Sequence, residues 1–228
     1  MKKKIFIACD TYSSSEAKKI INLTQTNKLD IIYKFGLEFF YSKNGRKFIY
    51  KVKGKKIFLD LKLNDIPVTC SKAINSLKDL KNINYITLHA NAGEETIKAV
   101  VKNAKKINPK LNILLVTILT SITNSSIKKI GHTKSITTLV KKQTQMAKLC
   151  RCHGIVCAGS ELKFVKKIFK GEIITPGIRL KGDSPGDQKR IMGPKEAFEK
   201  GSTGLVLGRS ITKGNIRRNI SRLIKELN

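Results

Sequence analysis

Phe58-Leu59-Asp60-Leu61-Lys62-Leu63-Asn64-Asp65-Ile66-Pro67-Val68-Thr69 is the stretch on which the reading of this chain turns. It begins as an apolar strand and ends by opening a helix. Between the two it places the ionisable residues Asp60, Lys62 and Asp65. Side chains alternate faces along an extended strand, so the spacing predicts Asp60 and Lys62 on the same side. Pro67 suits the first turn of a helix, with Asp65 the expected N-cap. Taken alone, the stretch also fits a solvated ion pair at a strand end followed by a helix cap. The rest of the chain decides between the two.

Working outward, short apolar runs alternate with amphipathic helical runs from end to end. Strands are predicted over Lys4 to Cys9, Asp30 to Lys34, Lys56 to Lys62, Tyr85 to His89, Asn112 to Leu119, Gly154 to Cys157, Glu172 to Ile174 and Thr203 to Leu207. Helices are predicted over Ser13 to Thr26, Leu37 to Lys53 with a break at Asn44-Gly45, Ile66 to Leu80 and Glu94 to Lys106. Ser135 to Cys150, Glu161 to Phe169, Lys195 to Lys200 and Asn215 to Leu227 complete the helices. Thr120 to Thr133 and Thr175 to Gly186 read as loops. The strands are apolar throughout, as a parallel sheet buried on both faces requires. The pattern predicts the α/β class and a (β/α)8 TIM barrel, with residues 1–228 as a single domain. An open doubly wound sheet is the main rival, but no Gly-x-Gly-x-x-Gly follows the first strand.

Composition narrows the setting. The chain has 228 residues, 40% of them apolar, enough for a real core. No apolar run approaches the roughly 18 residues that span a bilayer. The start, Met1-Lys2-Lys3-Lys4 followed by Ile5 to Cys9, imitates a signal peptide, but Asp10 ends the apolar part too soon. Five cysteines, Cys9, Cys70, Cys150, Cys152 and Cys157, are an odd number with no paired metal-ligand spacing. They read as small buried thiols in a reduced cytoplasm. His89 reads as a mouth residue supporting the charged set, and His132 and His153 have no paired ligand spacing, so no metal site is expected. The 46 Lys+Arg against 16 Asp+Glu give +30. These lysines are spread over almost every helix, and Ile, Asn and Lys are all plentiful, a pattern AT-rich coding would give. A polyanion partner is the other reading, but no aromatic-basic stacking platform supports it and the chain has no Trp. Either way, the field favours anionic substrates.

In a barrel the C-terminal strand ends converge on one mouth, where active sites lie. Here those ends carry Asp10, Lys34, Asp60 with Lys62, His89, Thr120, Arg179 beyond Pro176-Gly177-Ile178, and Arg209 beyond Gly208. A barrel selected only for stability has no use for ionisable groups at so many strand ends. The loops after the seventh and eighth strands are the usual phosphate cradle of this architecture, and they hold Arg179, Gln188, Gly208 and Arg209. Arg209 suits bidentate binding of a phosphate.

These residues together resemble the signature of orotidine 5′-phosphate decarboxylase. The resemblance rests on Asp60-Leu-Lys62-Leu-Asn-Asp65-Ile66-Pro67-Val-Thr69, Lys34-Phe-Gly36, Leu119-Thr120-Ser121, Pro176-Gly177-Ile178-Arg179, Gly186-Asp187-Gln188-Lys189-Arg190 and Leu207-Gly208-Arg209-Ser210. It covers almost the whole chain in order, and the Asp-Ile-Pro block is its specific part. It implies cofactor-free decarboxylation of orotidine 5′-monophosphate to UMP, the last step of de novo pyrimidine nucleotide synthesis, in the cytoplasm. It implies Lys62 as proton donor to C6 of the pyrimidine, with Asp60, Asp65 and Lys34 completing the charged array. It further implies Asp10 and Lys34 on the ribose side, and Thr120, Arg179, Gln188, Gly208 and Arg209 around the base and phosphate. Asp65, Ile66 and Thr69 would come from a neighbouring subunit, making a homodimer with shared sites. Gly193, Ala158 and Asn64 depart from the family's usual residues. The alternatives are a metal-dependent sugar-phosphate enzyme of the same barrel group, which shares Asp-x-Lys but lacks Asp-Ile-Pro, and a basic nucleic-acid-binding module.

Overall fold

A computed structural model describes residues 2–184 and 191–228. The chain runs β1 (Lys4–Ala8), α1 (Ser14–Leu23), β2 (Asp30–Gly36), α2 (Leu37–Tyr41), α3 (Gly45–Lys51), β3 (Lys56–Leu63), α4 (Pro67–Asn75), β4 (Ile83–His89), α5 (Gly93–Ile107) and β5 (Asn112–Val116). It continues α6 (Asn124–Lys129), α7 (Ile136–Leu149), β6 (Gly154–Val156), α8 (Leu162–Ile168), β7 (Glu172–Thr175), α9 (Pro194–Glu199), β8 (Gly204–Leu207), α10 (Arg209–Thr212) and α11 (Ile216–Leu227). The strands pair in sequence order and β8 returns to β1, closing the barrel predicted from the alternation. Every pairing is parallel.

One inward side chain from each strand fills the barrel: Phe6, Ile32, Phe58, Tyr85, Leu114 and Ile174, with Val156 and Val206 packed against them. Phe6 meets Phe58 and Tyr85 edge-on, at 5.3 and 5.2 Å between ring centres, the arrangement ring quadrupoles favour. A larger apolar layer lies between strands and helices, from Ile5 and Ile7 round to Leu223. Alternation then fixes what lies above the inner layer. Two residues further along, β1, β2, β3, β4 and β5 turn Ala8, Lys34, Asp60, Thr87 and Val116 inward. The core therefore sets the floor on which the polar residues stand.

The structure departs from the sequence expectations at several places. The Thr120 to Thr133 segment contains α6, whose start is closed by a reciprocal cap: Ser126 N–H donates to Thr123 Oγ1 at 3.2 Å and Thr123 N–H to Ser126 Oγ at 2.8 Å. A polar sequence concealed this helix because its stability comes from capping rather than from an apolar stripe. The helix expected over Ile66 to Leu80 ends at Asn75. Its N-cap is Ile66, not Asp65; Asp65 Oδ1 instead accepts the adjacent Ile66 N–H at 2.7 Å. Pro67 occupies the first turn as expected. Strand β5 stops at Val116, three residues short of Leu119. Gly193 caps α9 with no side-chain bond.

Candidate active site

The polar ring stands over a cavity of 650 Å³ at the C-terminal mouth of the barrel. Asp10, Lys34, Asp60, Lys62, Thr120, Arg179, Gly208 and Arg209 all line it, as expected from their strand ends. Gln188 lies outside the described residues. His89 does not line the cavity; its Nδ1 accepts the Asn91 N–H at 3.2 Å and caps the turn Ala90–Ala92. Asp65 and Ile66 open onto a separate cavity with Asn64 and Pro67, and Thr69 is exposed on α4. Within one chain, these three residues stand apart from the charged ring.

Three strands build the ring. Lys34 of β2 is buried and its Nζ lies 3.0 Å from Asp10 Oδ1, beyond β1, and 3.6 Å from Asp60 Oδ2 on β3. Lys62 Nζ lies 2.9 Å from the other Asp60 oxygen. Asp60 is thus held between two ammonium groups, one on each oxygen. Burial pushes its carboxyl up, but Lys34 and Lys62, with hydrogen bonds from Lys62 and Thr87, more than reverse this and hold it below the usual aspartate value. Burial likewise opposes the charge on Lys34, and Asp60 and Asp10 outweigh it, so Lys34 is held above the usual lysine value. His89 is pushed down by burial and by Lys62, which favours its neutral ring.

Asp60 and Lys62 do meet, but not by regular strand alternation. Leu59 pairs with Ile86 while Leu63 pairs with Leu88, so β3 spends more residues than β4 over the same span. The surplus bulges at Lys62, which takes φ +47°, a conformation that costs a non-glycine residue energy. Its N–H leaves the ladder and donates to Thr87 Oγ1 at 2.9 Å, and that hydroxyl donates to Asp60 Oδ1 at 3.0 Å. Fully buried Thr87 therefore locks the carboxylate and the bulge together. Sequence reasoning passed over it. The available signal was a hydroxyl residue between Ile86 and Leu88, two places before His89.

Chemically, the site offers a fixed ammonium beside a carboxylate, and two guanidiniums lining the same cavity. Such a cavity suits an anion whose phosphate pairs with the guanidiniums. A closed parallel barrel with a charged mouth and arginines after its last two strands defines a phosphate-handling (β/α)8 enzyme. Residues 3–222 match the profile of the orotidine 5′-phosphate decarboxylase / HUMPS family. The orotidine 5′-phosphate decarboxylase of Oenococcus oeni is 38% identical over 99% of both chains, and that of Staphylococcus saprophyticus 40% over 93% of both. The crystal structure of orotidine 5′-phosphate decarboxylase from Lactobacillus acidophilus superimposes with a TM-score of 0.85 over the whole of both chains, at 30% identity. The chain belongs to the orotidine 5′-phosphate decarboxylase / HUMPS family and is an enzyme of its decarboxylase side.

Proposed function

We propose that this chain decarboxylates orotidine 5′-monophosphate to UMP without a cofactor, in the cytoplasm, as one folded domain working in a homodimer. The observation that carries the reading is the run of alternating charges Asp10, Lys34, Asp60 and Lys62 in a cavity that Arg179 and Arg209 also line. Phosphate on the arginines would direct the pyrimidine towards Lys62. The bond from C6 to the carboxylate breaks, CO2 leaves, and the electron pair remains on C6. The ammonium of Lys62 stabilises that charge and then transfers a proton to C6; the resulting amine regains its proton from water. Asp60 fixes Lys62 in position, and Lys34 offsets the second aspartate oxygen. Asp10 and Lys34 would contact the ribose, and Thr120 the base. Gln188 and Gly208 are assigned to the phosphate with the two arginines.

Asp65, Ile66 and Thr69 are assigned to the site of a second subunit. Their position outside the cavity of their own chain supports this, as does the exposure of Ile66 and Val68, at 64 and 59%, beside Asp65. Asp65 would then flank the partner's lysine ammonium.

The test is ultraviolet absorbance of the purified protein with orotidine 5′-monophosphate, a chelator being present throughout. Conversion to UMP is the expected result, and activity lost on chelation and restored by a divalent ion would overturn the cofactor-free reading in favour of a sugar-phosphate type of chemistry. Lys62→Ala is expected to abolish turnover while UMP still binds, measured by calorimetry; retained turnover would remove Lys62 from its role.

A further inference from the structure

One face of α11 carries Asn219, Arg222 and Glu226, spaced three and four residues apart as helical neighbours are. Asn219 is buried, and its Nδ2 donates to the carbonyls of Ile211 at 3.1 Å and Lys213 at 2.8 Å. These carbonyls lie at the C-terminal end of α10, the helix that begins with Arg209. Arg222 Nη2 donates to the Lys181 carbonyl at 2.8 Å and to Asp183 Oδ1 at 3.0 Å. Glu226 Oε1 accepts the Lys181 N–H at 3.0 Å. Arg222 Nη1 also reaches Asn219 Oδ1 at 3.4 Å, joining the two halves of the network.

The 180–184 stretch held in this way follows directly on Arg179. It folds back on that residue: Arg179 Nε donates to the Ser184 carbonyl at 3.2 Å, and Asp183 N–H to the Leu180 carbonyl at 3.0 Å. The two arginines of the cavity thus stand on separate segments, one after β7 and one after β8, and α11 grips both from behind. A cavity of 460 Å³ lies between them, bordered by Asp183, Ser210, Asn219 and Arg222. Like charges brought to one spot repel, so the segments carrying them need an external restraint. Burial and then Arg209 disfavour the Arg179 charge, whereas Asp183, held by Arg222, favours it.

We propose that Arg222, with Asn219, is a positioning residue of the reaction: it fixes Arg179 relative to Arg209 and so presets the distance across which a phosphate is gripped. The inference deepens the reading above and rests on it, since it takes the two arginines as the phosphate site. Neither Arg222 nor Asn219 lines the catalytic cavity. Asn219 acts through two backbone carbonyls, and Arg222 through one carbonyl and one carboxylate. Without the grip, part of the phosphate binding energy goes into ordering the two segments rather than into lowering the barrier at C6.

The experiment compares wild type, Arg222→Ala, Arg222→Lys and Asn219→Ala on two substrates, orotidine 5′-monophosphate and orotidine, the nucleoside without the phosphate. Arg222→Ala is expected to lower kcat/KM on the nucleotide at least about tenfold and on the nucleoside less than about threefold, because only the nucleotide uses the grip. Arg222→Lys keeps one donor for the Lys181 carbonyl and is expected to recover part of the loss. Equal loss on both substrates would mean that Arg222 is merely structural and would overturn the inference, as would no loss on the nucleotide. Thermal melting checks each variant; if Arg222→Ala does not fold, Arg222→Lys and Asn219→Ala carry the same two-substrate ratio. A wild type inactive on the nucleotide sinks the functional reading itself, whereas an active wild type with an unchanged ratio in the variants sinks only the role of α11.

Discussion

Thr87 shows how much one hydroxyl contributes here. It accepts from the Lys62 backbone and donates to the Asp60 carboxylate, so the bulge and the charge pair share a single anchor. Thr87→Val keeps the shape and removes both bonds, leaving a backbone donor and a carboxylate oxygen each short of a partner. The expected cost is about 1–3 kcal/mol of stability, with a fall in kcat of about 10- to 100-fold as Lys62 loses its fixed position. Urea unfolding and steady-state rates check the two parts. Asp60 makes a second prediction, in pH. Its folded carboxyl titrates below the ordinary value of 3.8, so the unfolded chain takes up that proton first as acid is added. The stability it contributes is complete above 3.8 and is lost as pH falls through the lower folded value. Lys34 is the mirror case: its contribution is complete below 10.5 and is lost as pH rises through the higher folded value. Asp60→Asn should therefore cost most stability near neutral pH, and the gap from wild type should shrink below about pH 4. A gap that is constant from pH 3 to pH 7 would contradict the assignment.

At the scale of elements, α2 and α3 meet at a glycine for want of space. A Cβ on Gly45 would run into the Phe39 carbonyl, and its neighbours Phe39 and Phe48 are already packed edge-to-face at 5.4 Å. Gly45→Ala must push the backbone apart, at an expected cost of about 1–3 kcal/mol, visible as a lower urea midpoint with an unchanged slope. The broken helix predicted at Asn44-Gly45 thus has a steric cause as well as a conformational one. Elsewhere caps decide boundaries. Ser13 accepts the Glu16 N–H at 3.3 Å to start α1, and Asn215 the Arg218 N–H at 3.0 Å to start α11. The bulge in β3 holds Lys62 at a φ of +47°, and it serves the site by turning the Lys62 N–H away from the ladder and onto Thr87.

For the molecule as a whole, the proposed homodimer turns on Asp65. If the proposed homodimer shares its sites, Asp65→Ala and Lys62→Ala subunits spoil different halves of each site. Mixing the two inactive variants should then restore up to about a quarter of wild-type activity, from the one intact site in each heterodimer when half the dimers are mixed. No recovery in heterodimers shown to have exchanged would place the whole site within one chain. Among the described residues, no helix is long and apolar enough to cross a membrane. The charge of +30 acts at this scale too, drawing an anionic substrate to the mouth with a strength that added salt weakens.

The alternation of apolar runs and amphipathic helices was enough to determine the closed barrel, because a parallel sheet buried on both faces writes itself as short apolar strands between crossover helices. The strand ends were legible for the same reason: position on a barrel strand fixes which end faces the mouth, and Asp10, Lys34, Asp60, Lys62, Thr120, Arg179, Gly208 and Arg209 gather there. Helix α6 was not legible, since a reciprocal Thr123–Ser126 cap carries no periodic signal, and neither was the N-cap at Ile66. Only the tertiary structure revealed that the surplus residues of β3 bulge over Thr87, or that α11 reaches back from the end of the chain to hold Lys181 and Asp183. Sequence pattern records which face a residue takes within its own element. Which distant carbonyl or hydroxyl meets it depends on register and packing between elements, and those are settled only when the barrel closes.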